Sequence, residues 1–190
     1  SIYELNYGVN LIGYMNAESG VGEAGRASYR GLVSAEVPHV VMDYRVGNFS
    51  RMEEKIDCEF SLRPEYDVNL IHVNADQSRG VRDSLGEQVF RDRYNIGYGY
   101  WEMPEFPDFW DFAFEQVDKI WVATQYTHAA ISQKTDKPVY LIPPNVKVEA
   151  PNARTRAEFD LNDEEFVFFH MSDVLSMPDR KNPIDVVRAF

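Results

Sequence analysis

Cysteine is almost missing from this 190-residue sequence: Cys58 is the only one, so no intrachain disulfide can form. That scarcity fits a reducing compartment, and none of the four histidines sits in a context that would make the thiol a nucleophile. Long apolar runs are missing too. The longest are strand-sized, so neither a transmembrane helix nor a signal peptide is expected, and the expected location is cytoplasmic. Positive charge is in deficit, with 19 Lys and Arg against 31 Asp and Glu, a formal net charge of −12. A field of that sign repels phosphate backbones and anionic lipid, which excludes nucleic-acid or membrane binding through bulk charge. No G-x-S-x-G elbow is present, which removes that hydrolase class. No His, Cys, Asp or Glu pair has the spacing of a preformed metal site, so no metal is expected. Internal repeats and low-complexity tracts are also absent.

The residues that are present describe a globular chain with a core: 44% hydrophobic, 26% charged and 14% aromatic. The aromatics crowd between Tyr94 and Trp121. Short apolar runs predict strands at 8–15, 39–44, 67–74, 95–101, 118–124 and 139–143. Near-helical spacing predicts helices at 21–36, 78–94, 109–117 and 125–134. The stretch 45–64 is weakly patterned and reads as a loop with a short helix.

Strands alternating with helices at this spacing imply an α/β fold, a doubly wound, Rossmann-like parallel sheet joined by right-handed crossovers. In such folds the sites lie beyond the carboxyl ends of the strands, which nominates the loops after Met15, Tyr44, Asn74, Trp101 and Thr124. After Pro144 the composition turns polar. The expected organisation is a domain over 1–145, a linker over 146–164, and over 165–190 the opening strand and helix of a second, truncated domain.

Gly20-Val21-Gly22-Glu23-Ala24-Gly25 matches G-x-G-x-x-G between a strand and a helix. Its glycines allow close backbone approach, and the helix start offers N–H groups to an anion. Asp43, about 20 residues on, stands where a dinucleotide-binding carboxylate belongs. An NAD(P)-dependent oxidoreductase is therefore one alternative. Against it, four polar residues separate Met15 from Gly20, and Glu18 and Glu23 would lie near any pyrophosphate. A second alternative is a non-catalytic α/β binding module whose glycines serve packing alone.

Other residues carry candidate chemistry. Glu102 follows Tyr100-Trp101 at a strand end, where a carboxylate among aromatics could hold sugar hydroxyls, with Tyr100 or Trp101 as a stacking face. It equally fits an exposed loop acid, and Glu105 reads as solvated. Asn74, Asp76 and Gln77 could hydrogen-bond a ligand, although helix capping is the expected role of Asp76. His72 and His170 lie in apolar strands and read as satisfied core histidines.

Four segments in order resemble the family 4 (group 1) glycosyltransferases of the GT-B superfamily: GVNLIGYMNAESGVGEAGR (8–26), GYWEMPEFPDFW (99–110) with VDKIWVATQYTHAAI (117–131), KPVYLIPPNV (137–146) and FVFFHMSDVLSMPDRKNPIDVVRAF (166–190). The resemblance implies the amino-terminal half of a two-domain retaining enzyme. Such an enzyme moves a sugar from a nucleotide-sugar to a glycan or lipid-linked acceptor, as in polysaccharide biosynthesis, with no cofactor beyond the donor. It carries donor contacts onto Gly20, Val21 and Gly22 of the glycine loop and onto Lys181, with Arg180 standing in for a family arginine replaced here by Ser172-Asp173. With an acceptor bound on this side, Tyr100, Trp101, Asn74 and Asp76 are the expected acceptor contacts, and the resemblance implies a role for Glu102 near the reacting sugar. The family's paired glutamates would lie beyond Phe190. A chain lacking them and the rest of the donor domain is expected to be inactive alone.

Overall fold

The computed structural model describes residues 6–146, 154–172 and 178–190. They fall into two compact units, 1–147 and 148–190. The first unit holds six strands, β1 (Val9–Gly13), β2 (His39–Asp43), β3 (Val68–His72), β4 (Tyr94–Gly99), β5 (Lys119–Val122) and β6 (Val139–Leu141). All pair in parallel, in the order β2-β1-β3-β4-β5-β6. This is an α/β, Rossmann-like sheet. Its strand order reverses between β1 and β3, the chain running one way to β2 and the other way from β3 onward.

The strands form where they do because runs such as Leu11–Ile12 and Leu70–Ile71 can be buried on both faces, as a parallel sheet requires. On one face Leu11, Met15, Val41, Leu70 and Ile96 pack against Tyr29 and Leu32 of helix α1 (Gly20–Ser34). On the other, Ile12, Met42, Ile71 and Val73 meet Val81 and Leu85 of α2 (Ser78–Leu85), together with Phe90. Beside them Phe106, Phe114, Ile120, Val122 and Ile131 form a third cluster, with Phe114 in α3 (Phe112–Glu115) and Ile131 in α4 (Gln125–Ser132).

A polar ladder runs through this apolar interior. Asn10, Asn69 and Asn95 share one register position on β1, β3 and β4. Asn10 Nδ2 donates to Asn69 Oδ1 at 2.8 Å, and Asn69 Nδ2 donates to Asn95 Oδ1 at 2.8 Å. The ends are closed by backbone: Asn10 Oδ1 accepts from the amides of Glu65 and Tyr66, and Asn95 Nδ2 donates to the carbonyls of Phe90 and Arg93.

In the first unit three expected elements need correction. The helix expected over 109–117 is a 3-10 turn at Asp108–Trp110 followed by the four-residue α3. Trp110 there packs edge-on against Trp101, 5.5 Å between centroids, and against Phe106. Aromatic packing, not helical periodicity, sets that segment. The helix expected over 78–94 stops at Leu85, where Gly86 takes a φ of +85°, and a 3-10 turn Glu87–Val89 follows. The segment 45–64 contains no helix; Phe60 makes one isolated bridge to Val41, and Ile56 and Cys58 pack below the sheet.

In the second unit a 3-10 turn, Arg156–Phe159, begins where the amide of Thr155 donates to Glu158 Oε1 at 3.1 Å. Two short helices follow, α5 (Pro178–Lys181) and α6 (Pro183–Ala189). The strand expected over 165–170 is not formed: the segment has no ladder partner among the described residues. His170, read as a core histidine, is exposed there. Phe168 stacks edge-on with Phe166 and Phe190 at 4.9 and 5.4 Å, yet Phe166, Phe168 and Val187 remain exposed.

Candidate functional site

At the carboxyl edge of the sheet the chain leaves a cavity of about 460 Å3 lined by Gly20, Val21, Asn74, Ala75, Asp76, Tyr100, Trp101, Glu102 and Trp110. The loops after β1 and β3 supply one side of it. These are the two strands between which the order reverses, the place where ligands of open parallel sheets bind. The segment after β4 supplies the aromatic side. Three of the five nominated strand-end loops thus converge. The loop after β5 contributes Thr124 to a neighbouring cavity of about 460 Å3, which shares Tyr100, Trp101 and Glu102 with the first. The loop after β2 lines neither.

The turn from β1 into α1 is built tightly. Ser19 caps the helix, its hydroxyl accepting from the amide of Gly22 at 3.2 Å. The N–H groups of Gly20 and Val21, at the first helical positions, have no carbonyl one turn back inside the helix, and both residues line the cavity. The two glycines differ in kind. A Cβ on Gly20 would meet nothing within 4 Å, whereas one on Gly22 would strike the carbonyls of Ala17 and Tyr14. Gly22 is a packing residue and does not line the cavity. Gly25 likewise faces Met15 Sδ and the His72 side chain.

Arg26, only 8% exposed, ties this turn together. Its Nη1 donates to the carbonyls of Met15 and Ala17 at 3.1 and 2.8 Å, and its Nε pairs with Glu23 at 3.0 Å. Both acids of the loop have arginine partners: Glu18 pairs with Arg51, and Glu23 with Arg26 and Arg30. Burial would raise the Glu23 carboxyl, but hydrogen bonds from Arg30 and Arg26 outweigh it and hold the group below its ordinary range. Sequence reasoning quoted Arg26 without a role for it. A lone Arg in a helix carries no mark of the carbonyls it will reach.

Asp43 is occupied within the fold. Its Oδ1 accepts from the amide of Met15 at 2.9 Å, its Oδ2 pairs with Arg45 at 2.5 Å, and its side chain is 5% exposed. It lines neither carboxyl-edge cavity, so it is not placed to take a ribose there.

On the β3 side, Asp76 does not cap a helix as expected. It lies inside the 3-10 turn Ala75–Gln77, and its carboxylate accepts from Gln77 Nε2 at 3.0 Å. Asn74 precedes that turn without a side-chain cap bond. Asp76 and Glu102 are both exposed and lie at the cavity wall, and no Lys or Arg is among its lining residues. Glu105 is exposed, as expected, and its carbonyl accepts from Trp101 Nε1 at 2.8 Å.

Beneath the aromatic wall lies His72, fully buried. Its Nδ1 is 2.9 Å from the Tyr100 hydroxyl and its Nε2 is 2.9 Å from Ser28 Oγ. Its ring stacks on Tyr98 at 4.7 Å, and Tyr98 stacks on Tyr100 at 5.1 Å. Burial lowers the His72 pKa to about 3, so the imidazole is neutral at physiological pH. Burial, with Tyr98 adding to it, raises the Tyr100 hydroxyl far above the usual phenol value, so it stays protonated. The core reading of His72 fits this environment, while its link to the cavity through Tyr100 had no signature in the sequence. Burial and neighbouring Asp57 and Asp43 push the Cys58 thiol up, away from reactivity.

Lys181 and Arg180 belong to the second unit, in α5. Lys181 is exposed; the Arg180 side chain and Asp173 lie outside the described residues. Among the described residues no group of His, Cys, Asp and Glu could hold a metal ion, and no helix is long and apolar enough to cross a membrane. No family model matches this chain, and no curated protein matches it either.

Proposed function

We propose that this chain is the acceptor-side part of a sugar-nucleotide-dependent glycosyltransferase, in which the cavity at the β1/β3 reversal binds the sugar unit that is to be extended. The observation that carries this is the convergence of Gly20, Asn74, Asp76, Tyr100, Trp101 and Trp110, from separate segments, on one cavity at the carboxyl edge of the sheet. Three aromatic residues offer faces for the apolar side of a pyranose ring, while amide, carboxylate and helix-start N–H groups suit its hydroxyls. A lining without Lys or Arg does not suit a diphosphate. In this reading the nucleotide is held elsewhere, by a donor domain that opens at about residue 165 and includes Arg180 and Lys181. Glu102 stands nearest to a reacting-sugar role. The donor is a substrate, no resident cofactor is needed, and transfer proceeds with retention to a glycan or lipid-linked acceptor.

The oxidoreductase alternative gains nothing from Asp43, whose carboxylate is held by Met15 and Arg45. Ligand-observed NMR on the chain separates the two. Glucose, galactose, mannose and N-acetylglucosamine form the sugar panel, and NAD(H) is tested beside it. The reading expects saturation transfer to at least one sugar, lost in Gly20→Leu, which adds bulk at a cavity-lining position where a Cβ meets no other atom within 4 Å. Saturable NAD(H) binding, lost in the same variant and without sugar binding, would overturn it.

A further inference from the structure

Tyr100 lies one residue past the end of β4, so no ladder hydrogen bond fixes its place in the sheet. The residue nevertheless lines both carboxyl-edge cavities. What holds it is a side-chain chain running inward: the Tyr100 hydroxyl to His72 Nδ1, then His72 Nε2 to Ser28 Oγ on α1, each 2.9 Å. Tyr98 stacks on both rings and is itself anchored, its hydroxyl donating to the carbonyl of Ile142 at 2.5 Å. His72 has little freedom to shift. A Cβ on Gly13 would lie 3.0 Å from His72 Cβ, and one on Gly25 would lie 3.7 Å from it.

We infer that His72 is a positioning residue for the cavity: through its Nδ1 it fixes the Tyr100 ring as the wall against which the bound sugar rests. The inference depends on the sugar reading of the cavity given above. His72 is fully buried, touches no ligand space itself and acts only through Tyr100. The bond works in either tautomer, because the tyrosine and serine hydroxyls can each donate or accept.

The two ring nitrogens can be separated by substitution. The amide of Asn in His72→Asn takes the place of Nδ1 and keeps the bond to Tyr100. The amide of Gln in His72→Gln takes the place of Nε2 and keeps only the bond to Ser28. Both variants lose the stacked ring and are expected to lose similar stability, read by urea unfolding. Affinity is read by titrating the full chain with the tightest-binding member of the sugar panel, following tryptophan fluorescence. Positioning predicts that His72→Asn binds within about threefold of the parent, while His72→Gln and Tyr100→Phe each lose about tenfold, the scale of one hydrogen bond's control of geometry. The double variant His72→Gln/Tyr100→Phe is expected to lose no more than either single one.

Equal affinity losses in His72→Asn and His72→Gln would overturn the positioning role and leave the sugar reading standing. Parent protein that binds no sugar in the panel would remove the reading and the inference together. A second measurement is independent of any sugar. The proton shared between Tyr100 and residue 72, on whichever of the two groups donates, is expected to be protected from solvent exchange, and visible by NMR, in the parent and in His72→Asn but not in His72→Gln. Its loss in both variants also overturns the inference.

Discussion

Arg26 Nη1 donates to the carbonyl of Ala17 at 2.8 Å, and a Cβ on Gly22 would collide with that same carbonyl. One peptide group is therefore gripped by an arginine and crowded by a helix start. The turn leading into α1 owes its shape to both contacts.

Removing the grip should be costly. Arg26→Ala leaves the carbonyls of Met15 and Ala17 without this donor and Glu23 with one arginine fewer. Breaking a buried charged network of this kind costs about 3 kcal/mol. Urea unfolding at neutral pH checks it, and a loss under about 1 kcal/mol would mean that water replaces the guanidinium. Arg26→Lys is expected to recover only part, since one ammonium cannot span both carbonyls and Glu23 with a planar fork.

The two glycines of the loop should behave oppositely. Gly22→Ala forces a methyl into two carbonyls and is expected to destabilise by about 2 kcal/mol. Gly20→Ala meets open space at a helical position and is expected to be neutral or slightly stabilising. Paired denaturation curves decide the matter, and equal effects would contradict the geometry.

Acid should weaken the fold through His72. Its folded pKa of about 3 lies below the ordinary 6.5, so the unfolded chain takes up a proton that the native state refuses. The stability this provides is complete above pH 6.5 and is lost as pH falls toward 3. Two pH units below 6.5 the loss is about 3 kcal/mol. His72→Gln, which cannot ionise, should lose less between neutral pH and that point by about this amount. A parallel pH dependence in parent and variant would show that His72 is hydrated or charged in the native state.

Sugar binding should be nearly indifferent to salt. No Lys or Arg lines the cavity, and its ligand is proposed to be uncharged, so the affinity should change by less than about twofold on raising the salt from low to high. A phosphorylated sugar should bind more weakly than its parent sugar. Tighter binding of the phosphate, fading with salt, would place a cation at the site.

Much of this arrangement was legible in the sequence because parallel strands must be buried on both faces. All six strands announce themselves as short apolar runs between breakers, and their carboxyl ends then point to Gly20, Asn74 and Tyr100. What was not legible depends on partners distant along the chain. Asp76 has a cap-like sequence context, but its carboxylate meets Gln77 instead. Trp110 has helical neighbours, yet the rings of Trp101 and Phe106 decide its backbone. The segment 165–170 holds an apolar run like a strand, but among the described residues no neighbour completes a ladder. Buried Asn69 looks, in sequence, like an interruption of an apolar run.

That interruption bears on how the sheet assembles. Asn10 and Asn69 are 59 residues apart and Asn69 and Asn95 are 26 apart, so no local stretch of chain can form either of the two side-chain bonds that join them. Pairing of β1 with β3 alone would leave Asn69 Nδ2 with the Val89 carbonyl but without Asn95 in a drying interior, and pairing of β3 with β4 alone would leave Asn69 Oδ1 without Asn10. Every two-strand intermediate thus carries an unpaid desolvation penalty that the three-strand state does not. The ladder therefore favours docking β1, β3 and β4 together over pairing any two of them, and a strand arriving one residue out of step would turn its asparagine to the opposite face. The polar thread thereby acts as a proofreader of assembly.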